Sequence, residues 1–331
     1  MKILDTIGID ISKLDFDARI HSTQSYEKFE NSNKGFVKLL KWAYKNSPSP
    51  QENILFIFEH TGLYSHQLSV WLTGKEVPFL LVPGLEVKRS LGIARGKNDK
   101  VDATKIALYA YRIRDEAKPT IMPTKLVQSL KRLLSLRDRL IKQRAGFKAS
   151  LKEQKRVLEK KENQVLLNTQ EKLIKHLSKQ IETVEKEMEA IIKSDRKLNG
   201  QFKLIVGIKG VGKQTALFMI AYTDGFTRFK TWRHFASYCG IAPFTNTSGT
   251  SIRGRTKVSN LANKKIKSLF DLCAKSAIQH NPEMKAYYNR RIEEGKNKMS
   301  TINIVRNKLL SRIFAVVNRQ TPYVDVMKYA A

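Results

Sequence analysis

Two stripes of apolar side chains in the middle of the chain constrain the fold more than any other feature. Apolar residues recur at heptad intervals from Leu126 to Leu158, and again from Leu173 to Ile191 after a break near residues 163–169. This spacing predicts two long helices that fold back on each other as an antiparallel coiled-coil arm. The simplest interpretation of the arm is a spacer or a dimerisation element that carries no chemistry.

The residues before the arm alternate between strand-like and helix-like patterns. Strands are predicted over 3–11, 17–22, 54–59 and 77–82, and helices over 32–45, 63–72 and 99–113. This alternation predicts an α/β sheet with helices on its faces. The region after the arm is rich in glycine, basic residues and short helical patterns. We therefore divide the 331 residues into an α/β domain at 1–120, a helical arm at 121–200 and a mostly helical domain at 201–331.

Charge is the unusual property of the composition. The chain has 61 Lys and Arg residues against 30 Asp and Glu, which gives a formal net charge of +31 and predicts a polyanionic partner. No stretch has the length or the basic amphipathic pattern of a membrane anchor, and acidic residues interrupt the first ten residues. Cys239 and Cys273 have no metal-ligand or redox spacing, which is typical of a reducing cytosol. We expect a cytoplasmic nucleic-acid-binding protein without membrane contact.

Four carboxylates of the first domain have a pattern that favours metal chemistry. Asp10 lies between isoleucines on a predicted strand, and Glu59 ends another strand at the edge where open sheets place their ligands. Asp99 and Asp102 are three residues apart and share one face of a helix. Four carboxylates without clustered Cys or His are the ligands that Mg²⁺ or Mn²⁺ prefers, and paired divalent ions assist phosphoryl transfer.

Each of these acids also has a plainer interpretation. Asp10 is compatible with an edge strand, and Asp99 is compatible with a helix cap stabilised by the helix dipole. His60 follows Glu59 but points to the opposite face of the strand, so we interpret it as structural. Basic residues crowd the approach to the aspartate pair, as expected for a phosphate-binding surface, although a solvated surface explains them equally well: Lys88, Arg89, Arg95, Lys97 and Lys100.

Two segments of the last domain are candidates for DNA contact. Residues 207–214 nearly match a phosphate-binding loop, but Gln214 stands where a Ser or Thr is required, so ATP binding is not expected. The glycine turn resembles a helix-hairpin-helix element that holds DNA phosphates, with a plain helical turn as the alternative, and its basic residues are Lys209 and Lys213. Farther on, a hydroxyl-rich loop that contains Ser248 leads into a predicted basic helix. The basic residues there are Arg253, Arg255, Lys257, Lys264 and Lys265.

Four motifs in this order resemble those of one known family. They are Gly8-Ile9-Asp10-Ile11-Ser12-Lys13, Glu59-His60-Thr61-Gly62, Lys97-Asn98-Asp99-Lys100-Val101-Asp102-Ala103 and Gly240-Ile241-Ala242-Pro243. The chain resembles the Piv/MooV-type DEDD transposases, the recombinases of the insertion-sequence family one-ten, from about Ile3 to Tyr323.

The resemblance implies a first domain of the RuvC, ribonuclease-H-like fold whose metal ligands match Asp10, Glu59, Asp99 and Asp102. It implies that a serine attacks DNA to form a phosphoserine linkage, while the carboxylates hold Mg²⁺ or Mn²⁺. The family's serine lies just before a glycine and matches Ser248. Thr247 and Ser251 are rivals in the same loop.

The same resemblance implies a prokaryotic transposase that acts on the DNA of the nucleoid. Its partners would be double-stranded donor and target DNA and a non-coding bridge RNA that selects both by base pairing. A homodimer or homotetramer would coordinate the several cuts. The main rival is a RuvC-like junction-resolving endonuclease that uses water as the nucleophile, and a third interpretation is a nucleic-acid-binding scaffold without activity.

Overall fold

The computed structural model describes residues 2–90, 99–249 and 252–324. The side chains of Asp99, Ile252, Arg253 and Arg255 are not described, and the predicted site residues Arg95, Lys97 and Ser251 lie outside the described ranges. The chain forms two compact units, one within residues 1–122 and one within residues 123–331. No helix in the described ranges is long and apolar enough to cross a lipid bilayer.

A five-stranded mixed sheet is the basis of the first unit, which confirms the predicted α/β class. Its strands are β1 (Asp5–Ile11), β2 (Asp15–Ile20), β3 (Tyr26–Glu30), β4 (Ile54–Glu59) and β5 (Phe79–Val82). The spatial order is β3-β2-β1-β4-β5, with β1 antiparallel to β2 and parallel to β4. The sequence did not predict β3, because Phe29 is its only buried residue and charged residues surround it.

Helices cover both faces of this sheet. They are α1 (Asn33–Asn46), α2 (Leu63–Gly74), α3 (Gly84–Ser90) and α4 (Asp99–Ile113). Helices α1 and α2 pack against Phe56 and Phe58 of β4, whereas α3 and α4 pack on the other face against Ile57 and Val82. Since side chains alternate along a strand, burial on both faces explains the uninterrupted apolar run at the start of β4.

The second unit begins with two long helices, α5 (Lys125–Val157) and α6 (Gln164–Ser194). Arg137 pairs with Glu185 at 2.6 Å, and Lys155, farther along α5, pairs with Glu171 at 2.5 Å. The two helices are therefore antiparallel, because a residue later in α5 pairs with a residue earlier in α6. The break between them lies at residues 158–163, earlier than the sequence predicted. Coiled-coil supercoiling stays a prediction.

The rest of the second unit is mostly helical. Its elements are α7 (Arg196–Val206), α8 (Lys213–Tyr222), α9 (Trp232–Tyr238), β6 (Pro243–Ser248), β7 (Ile252–Val258), α10 (Lys264–His280), α11 (Pro282–Glu293) and α12 (Lys298–Arg319). One apolar core joins the base of the arm to these helices, since Leu130 and Met188 pack in the same cluster as Phe270 and Leu309. The separation of arm and C-terminal domain near residue 200 stays a proposal based on sequence pattern.

Strands β6 and β7 form an antiparallel hairpin, and this corrects the sequence analysis. The segment was expected to be a loop leading directly into a basic helix. Every residue of β6 is exposed. A strand without a buried face has no alternation of apolar and polar residues, so the pattern that identifies strands was absent.

Candidate active site

Asp10 and Glu59 lie next to each other at one end of the first unit's sheet. Strands β1 and β4 are parallel neighbours in a register that pairs Ile9 with Phe58, and the two acids are the next residues on each strand. Neighbouring strands are about 4.8 Å apart, and side chains at equivalent register point to the same face. The two carboxylates therefore share one face at the carboxyl ends of the strands, where open α/β sheets place their ligands.

Helix α4 packs directly on this face because β1 has a glycine where the two backbones meet. A Cβ atom at Gly8 would lie 2.2 Å from the backbone nitrogen of Ala107 and 2.3 Å from the carbonyl oxygen of Ala103. The hydroxyl of Thr6 donates a hydrogen bond to the Ala107 carbonyl at 2.9 Å. Helix α4 thus runs opposite to β1, and its first turn is directed toward Asp10.

That first turn contains the other two predicted acids. Asp102 is 27% exposed and forms an ion pair with Lys105 at 2.9 Å. Asp99 is the first residue of α4. The structure thus brings three carboxylates, those of Asp10, Glu59 and Asp102, to one end of the sheet, together with the backbone of Asp99.

Glu59 lies in a recess that a glycine leaves open. A Cβ atom at Gly84 would lie 2.3 Å from Oε2 of Glu59, so a larger residue would displace the carboxylate. Burial raises the pKa of Glu59, and the negative charge of Asp102 raises it further. The effect of Asp102 shows that the two carboxylates are near enough to repel each other. A cation placed between them would be attracted to both.

The donor chemistry of this edge fits a hard divalent cation, since all of its candidate ligands are carboxylate oxygens. Among the described side chains, which do not include that of Asp99, no three Asp, Glu, His or Cys residues surround one point closely enough to hold a metal ion. The described carboxylates lie at one edge of the sheet but do not surround a common metal-binding position. His60 is exposed and accepts a long hydrogen bond from the Gly62 amide at 3.4 Å.

A fifth carboxylate lies beside this group, and the sequence analysis did not predict it. Asp17 of β2 is directly opposite Asp10 in the antiparallel register and is only 4% exposed. The Tyr26 hydroxyl donates a hydrogen bond to it, and the ammonium group of Lys100 lies 5.0 Å from the centroid of the Tyr26 ring. In the sequence, Asp17 could have been found only by aligning the two strands across the turn at residues 12–14, which places it opposite Asp10.

The basic residues predicted to bind nucleic acid differ in their surroundings. Lys88 and Arg89 are exposed in the last turn of α3, and Lys209, Lys257 and Lys264 are exposed in the second unit. Two others are held by carboxylates in the second unit: Lys213 pairs with Glu189 at 3.0 Å, and Lys265 pairs with Asp138 at 2.7 Å. These pairs make Lys213 and Lys265 weaker candidates for phosphate contact.

Helices α7 and α8 flank the glycine turn at residues 207–212. Gly210 has a φ of +92°, and a Cβ atom there would lie 2.7 Å from the Cβ of Ala277 on α10. Glycine is therefore required at this position both for backbone conformation and for packing. Contact of this turn with DNA stays a proposal.

Ser248 is the last residue of β6 and lies at the exposed tip of the hairpin. Gly249 follows with a φ of +54°, so the turn favours glycine, and among the described residues other than its chain neighbours no atom lies within 4 Å of a would-be Cβ. Thr247 pairs with Arg253 in the register, whereas Ser248 pairs with Ile252. Because successive side chains point to opposite faces, Thr247 and Ser248 present their hydroxyls on different faces of the hairpin.

The start of the hairpin is fixed by contacts with other elements of the second unit. Gly240 has a φ of +67°, and a Cβ atom there would lie 2.4 Å from the Cβ of Ala262. The carbonyl oxygen of Ile241 accepts hydrogen bonds from the side-chain amides of Asn303 at 2.9 Å and Asn307 at 3.0 Å. Both asparagines belong to α12. The motif at residues 240–243 therefore anchors the hairpin that carries Ser248.

The acids at the end of the sheet and the family models together define a class of protein, the DEDD-type DNA transposases. Residues 7–156 match a DEDD transposase model of the IS110 group, and residues 203–289 match the model described as the transposase IS116/IS110/IS902 family. The chain belongs to the IS110 family of transposases, which are DNA recombinases.

Curated relatives extend this similarity over nearly the whole chain. It is 28% identical over 323 residues to the pilin gene-inverting protein of Moraxella lacunata, which covers 96% of this chain and 97% of that one. The pilin gene-inverting protein of Moraxella bovis matches to the same extent. An uncharacterized protein of insertion element IS110 from Streptomyces coelicolor is 31% identical over 120 residues, which cover 36% of this chain and 29% of that one.

Proposed function

We propose that this transposase cuts and rejoins the DNA strands at the ends of an insertion sequence, with its carboxylates holding Mg²⁺ or Mn²⁺ and Ser248 acting as the nucleophile. The observation that carries the proposal is the arrangement at the end of the sheet. Asp10 and Glu59 are neighbours on parallel strands, and α4, whose first turn contains Asp99 and Asp102, packs on the same face of β1. These four positions match the acids of the DEDD family.

In the first step, the Ser248 hydroxyl attacks a DNA phosphate. A bond forms between Oγ and phosphorus, the bond from phosphorus to one strand oxygen breaks, and that oxygen leaves as a hydroxyl. Oγ gives up its proton to a general base, and the leaving oxygen takes up a proton in turn, so that the step neither gains nor loses a proton overall. When bound, the divalent ions would stabilise the negative charge on the attacked phosphate and on the leaving oxygen.

In the second step, a strand hydroxyl attacks the phosphoserine and releases Oγ. One phosphodiester is exchanged for another, so no external energy source is required. The conserved phosphate ester bond distinguishes recombination from cleavage by water, which leaves free strand ends. Inversion of a DNA segment, which the name of the Moraxella relatives denotes, would use the same exchange at two sites.

The partners follow from charge and from the family. A net charge of +31 suits a protein that holds donor and target duplexes by their backbones. We propose that a bridge RNA selects the two sites by base pairing and that a homodimer or homotetramer coordinates the cuts on nucleoid DNA in a prokaryotic cytoplasm. We propose phosphate contact for the exposed side chains of Lys88, Arg89, Lys209, Lys257 and Lys264, and Arg95, Lys97, Arg253 and Arg255 are further candidates.

A cleavage assay with a matched pair of variants tests the metal-site assignment. Asp10→Asn removes a ligand, whereas Asp115→Asn removes an acid that is 82% exposed after α4. We expect cleavage to require Mg²⁺ or Mn²⁺, to stop in chelator, to be lost in Asp10→Asn and to persist in Asp115→Asn, with DNA binding retained in both. Full cleavage by Asp10→Asn would contradict the assignment. Cleaved but never rejoined strands would instead support the junction nuclease.

A further inference from the structure

Three cationic side chains surround one tyrosine ring on the surface of α11 and α12. The Lys308 ammonium lies 4.3 Å from the centroid of the Tyr287 ring, and the guanidinium carbons of Arg290 and Arg291 each lie 5.5 Å from it. We call Tyr287, Arg290, Arg291 and Lys308 the Tyr287 surface. None of these side chains is fully buried, and that of Arg290 is 65% exposed.

The charge of this surface is only partly balanced. Glu294 pairs with Arg291 at 2.6 Å and more loosely with Arg290 at 3.8 Å. Within the described ranges, Lys308 has no carboxylate partner. Its helix α12 contains five basic residues and no acid. The surface therefore holds three positive charges against one negative charge.

The cations are held in place before any ligand arrives. The Arg291 guanidinium donates to the Tyr287 hydroxyl at 3.2 Å and to Glu294, and these contacts raise the pKa of Arg291. Cation–π contact favours positions of Arg290 and Lys308 over the ring. A group of cations ordered in advance loses little entropy when an anion binds.

We propose that the Tyr287 surface binds the phosphodiester backbone of duplex DNA. Cations presented by two packed helices suit the regular phosphate spacing of a duplex, and contact with the phosphates releases counterions from the DNA. Tyr287 is partly covered by the cations, so the surface offers no open aromatic platform for an unpaired base. This inference rests on the proposed function, which makes DNA the substrate.

Salt-dependent binding of a short duplex DNA tests the proposal. The measurement uses the full chain with Asp10→Asn in the background, so that no DNA is cut. Arg290→Gln with Lys308→Gln removes two cations of the surface. The matched control, Lys34→Gln with Lys38→Gln, removes two exposed lysines of α1 and changes the net charge equally. A structured RNA of similar length is the second probe.

We expect the surface variant to lower the slope of log affinity against log salt by about 1.8 for duplex DNA, since each lost phosphate contact contributes about 0.9. The control variant should leave the slope unchanged. Equal changes in both variants, or no change in either, would overturn the proposal, and a larger loss on RNA than on DNA would overturn the choice of partner. The Ser248 adduct, measured separately in the protein with Asp10 intact, reports on the proposed function itself.

Discussion

At the scale of single residues, Glu59 is held in surroundings that disfavour its ionised form and so lower the stability of the fold. Its carboxylate is half-buried next to Asp102, and Gly84 leaves the space that it occupies. An acid whose pKa is raised in the folded protein binds its proton more tightly there than in the unfolded chain. Its ionised form at neutral pH therefore destabilises the fold, and this cost appears as the pH rises through the folded-state pKa.

We therefore expect Glu59→Gln to unfold at a higher urea concentration than the wild type at pH 7 in chelator, while it loses metal-dependent cleavage. The gap between the two proteins should narrow as the pH falls below about 4, where the carboxyl group is mostly protonated in both states. Glu116→Gln, at an exposed acid, is the control and should change neither property. A wild type that is more stable than Glu59→Gln at pH 7 without metal would contradict this interpretation of the site.

Residue types and spacing predicted the four acids, because strand ends and a three-residue helical spacing are visible in sequence. The position of Asp17 next to this group could not be predicted from residue type and spacing alone. Its position opposite Asp10 depends on where the turn between β1 and β2 begins and ends, and a shift of one residue would have placed it on the other face. The tyrosine that holds it, Tyr26, belongs to the strand that the sequence did not predict.

At the scale of elements, the contact between α4 and β1 assembles the site. Gly8 is the position where this contact has no room for a side chain, and the atoms that a Cβ would meet are backbone atoms of α4. A side chain at this position could be accommodated only if the whole helix or the whole strand moved. Gly8 therefore allows α4 to approach β1 closely enough to bring Asp102 near Asp10.

We expect Gly8→Ala to lower the free energy of unfolding by about 1–3 kcal/mol, as overpacking typically does, and to reduce cleavage by moving the first turn of α4 away from Asp10. Gly146→Ala is the matched control. Gly146 is exposed within α5 with open space around its would-be Cβ, so alanine should raise stability by about 0.5–1 kcal/mol. Urea unfolding of both variants measures the two shifts. An unchanged unfolding curve for Gly8→Ala would contradict the close contact.

Elements that bury a continuous apolar face were predictable, and those that bury one residue or none were not. The bounds of β4 and α4 follow from the sequence because α4 packs one apolar stripe on the sheet and β4 is buried on both faces. The hairpin of β6 and β7 is wholly different: its first strand is exposed throughout. Its position depends on the Asn303 and Asn307 side chains, which are about sixty residues away in the chain.

At the scale of the whole molecule, the residues proposed to react fall in different units. The four acids belong to the first unit and Ser248 to the second. One family model, over residues 7–156, runs from the first unit into α5, and the other, over residues 203–289, lies within the second unit. Composition alone predicted a polyanionic partner, since the charge is independent of how the chain folds. It predicted nothing about which hydroxyl reacts, because Thr247 and Ser248 are adjacent hydroxyl-bearing residues that lie on opposite faces of the hairpin.

The identity of the reacting hydroxyl is the central claim, and a covalent adduct tests it most directly. The reaction is trapped on nicked DNA, the protein is digested, and the modified peptide is located by mass spectrometry for the wild type and for Ser248→Ala, Thr247→Ala and Ser251→Ala. We predict that DNA is attached to Ser248 and that the adduct disappears in Ser248→Ala alone. An adduct that survives in Ser248→Ala, or strand cleavage that proceeds in the wild type without any adduct, would contradict the account.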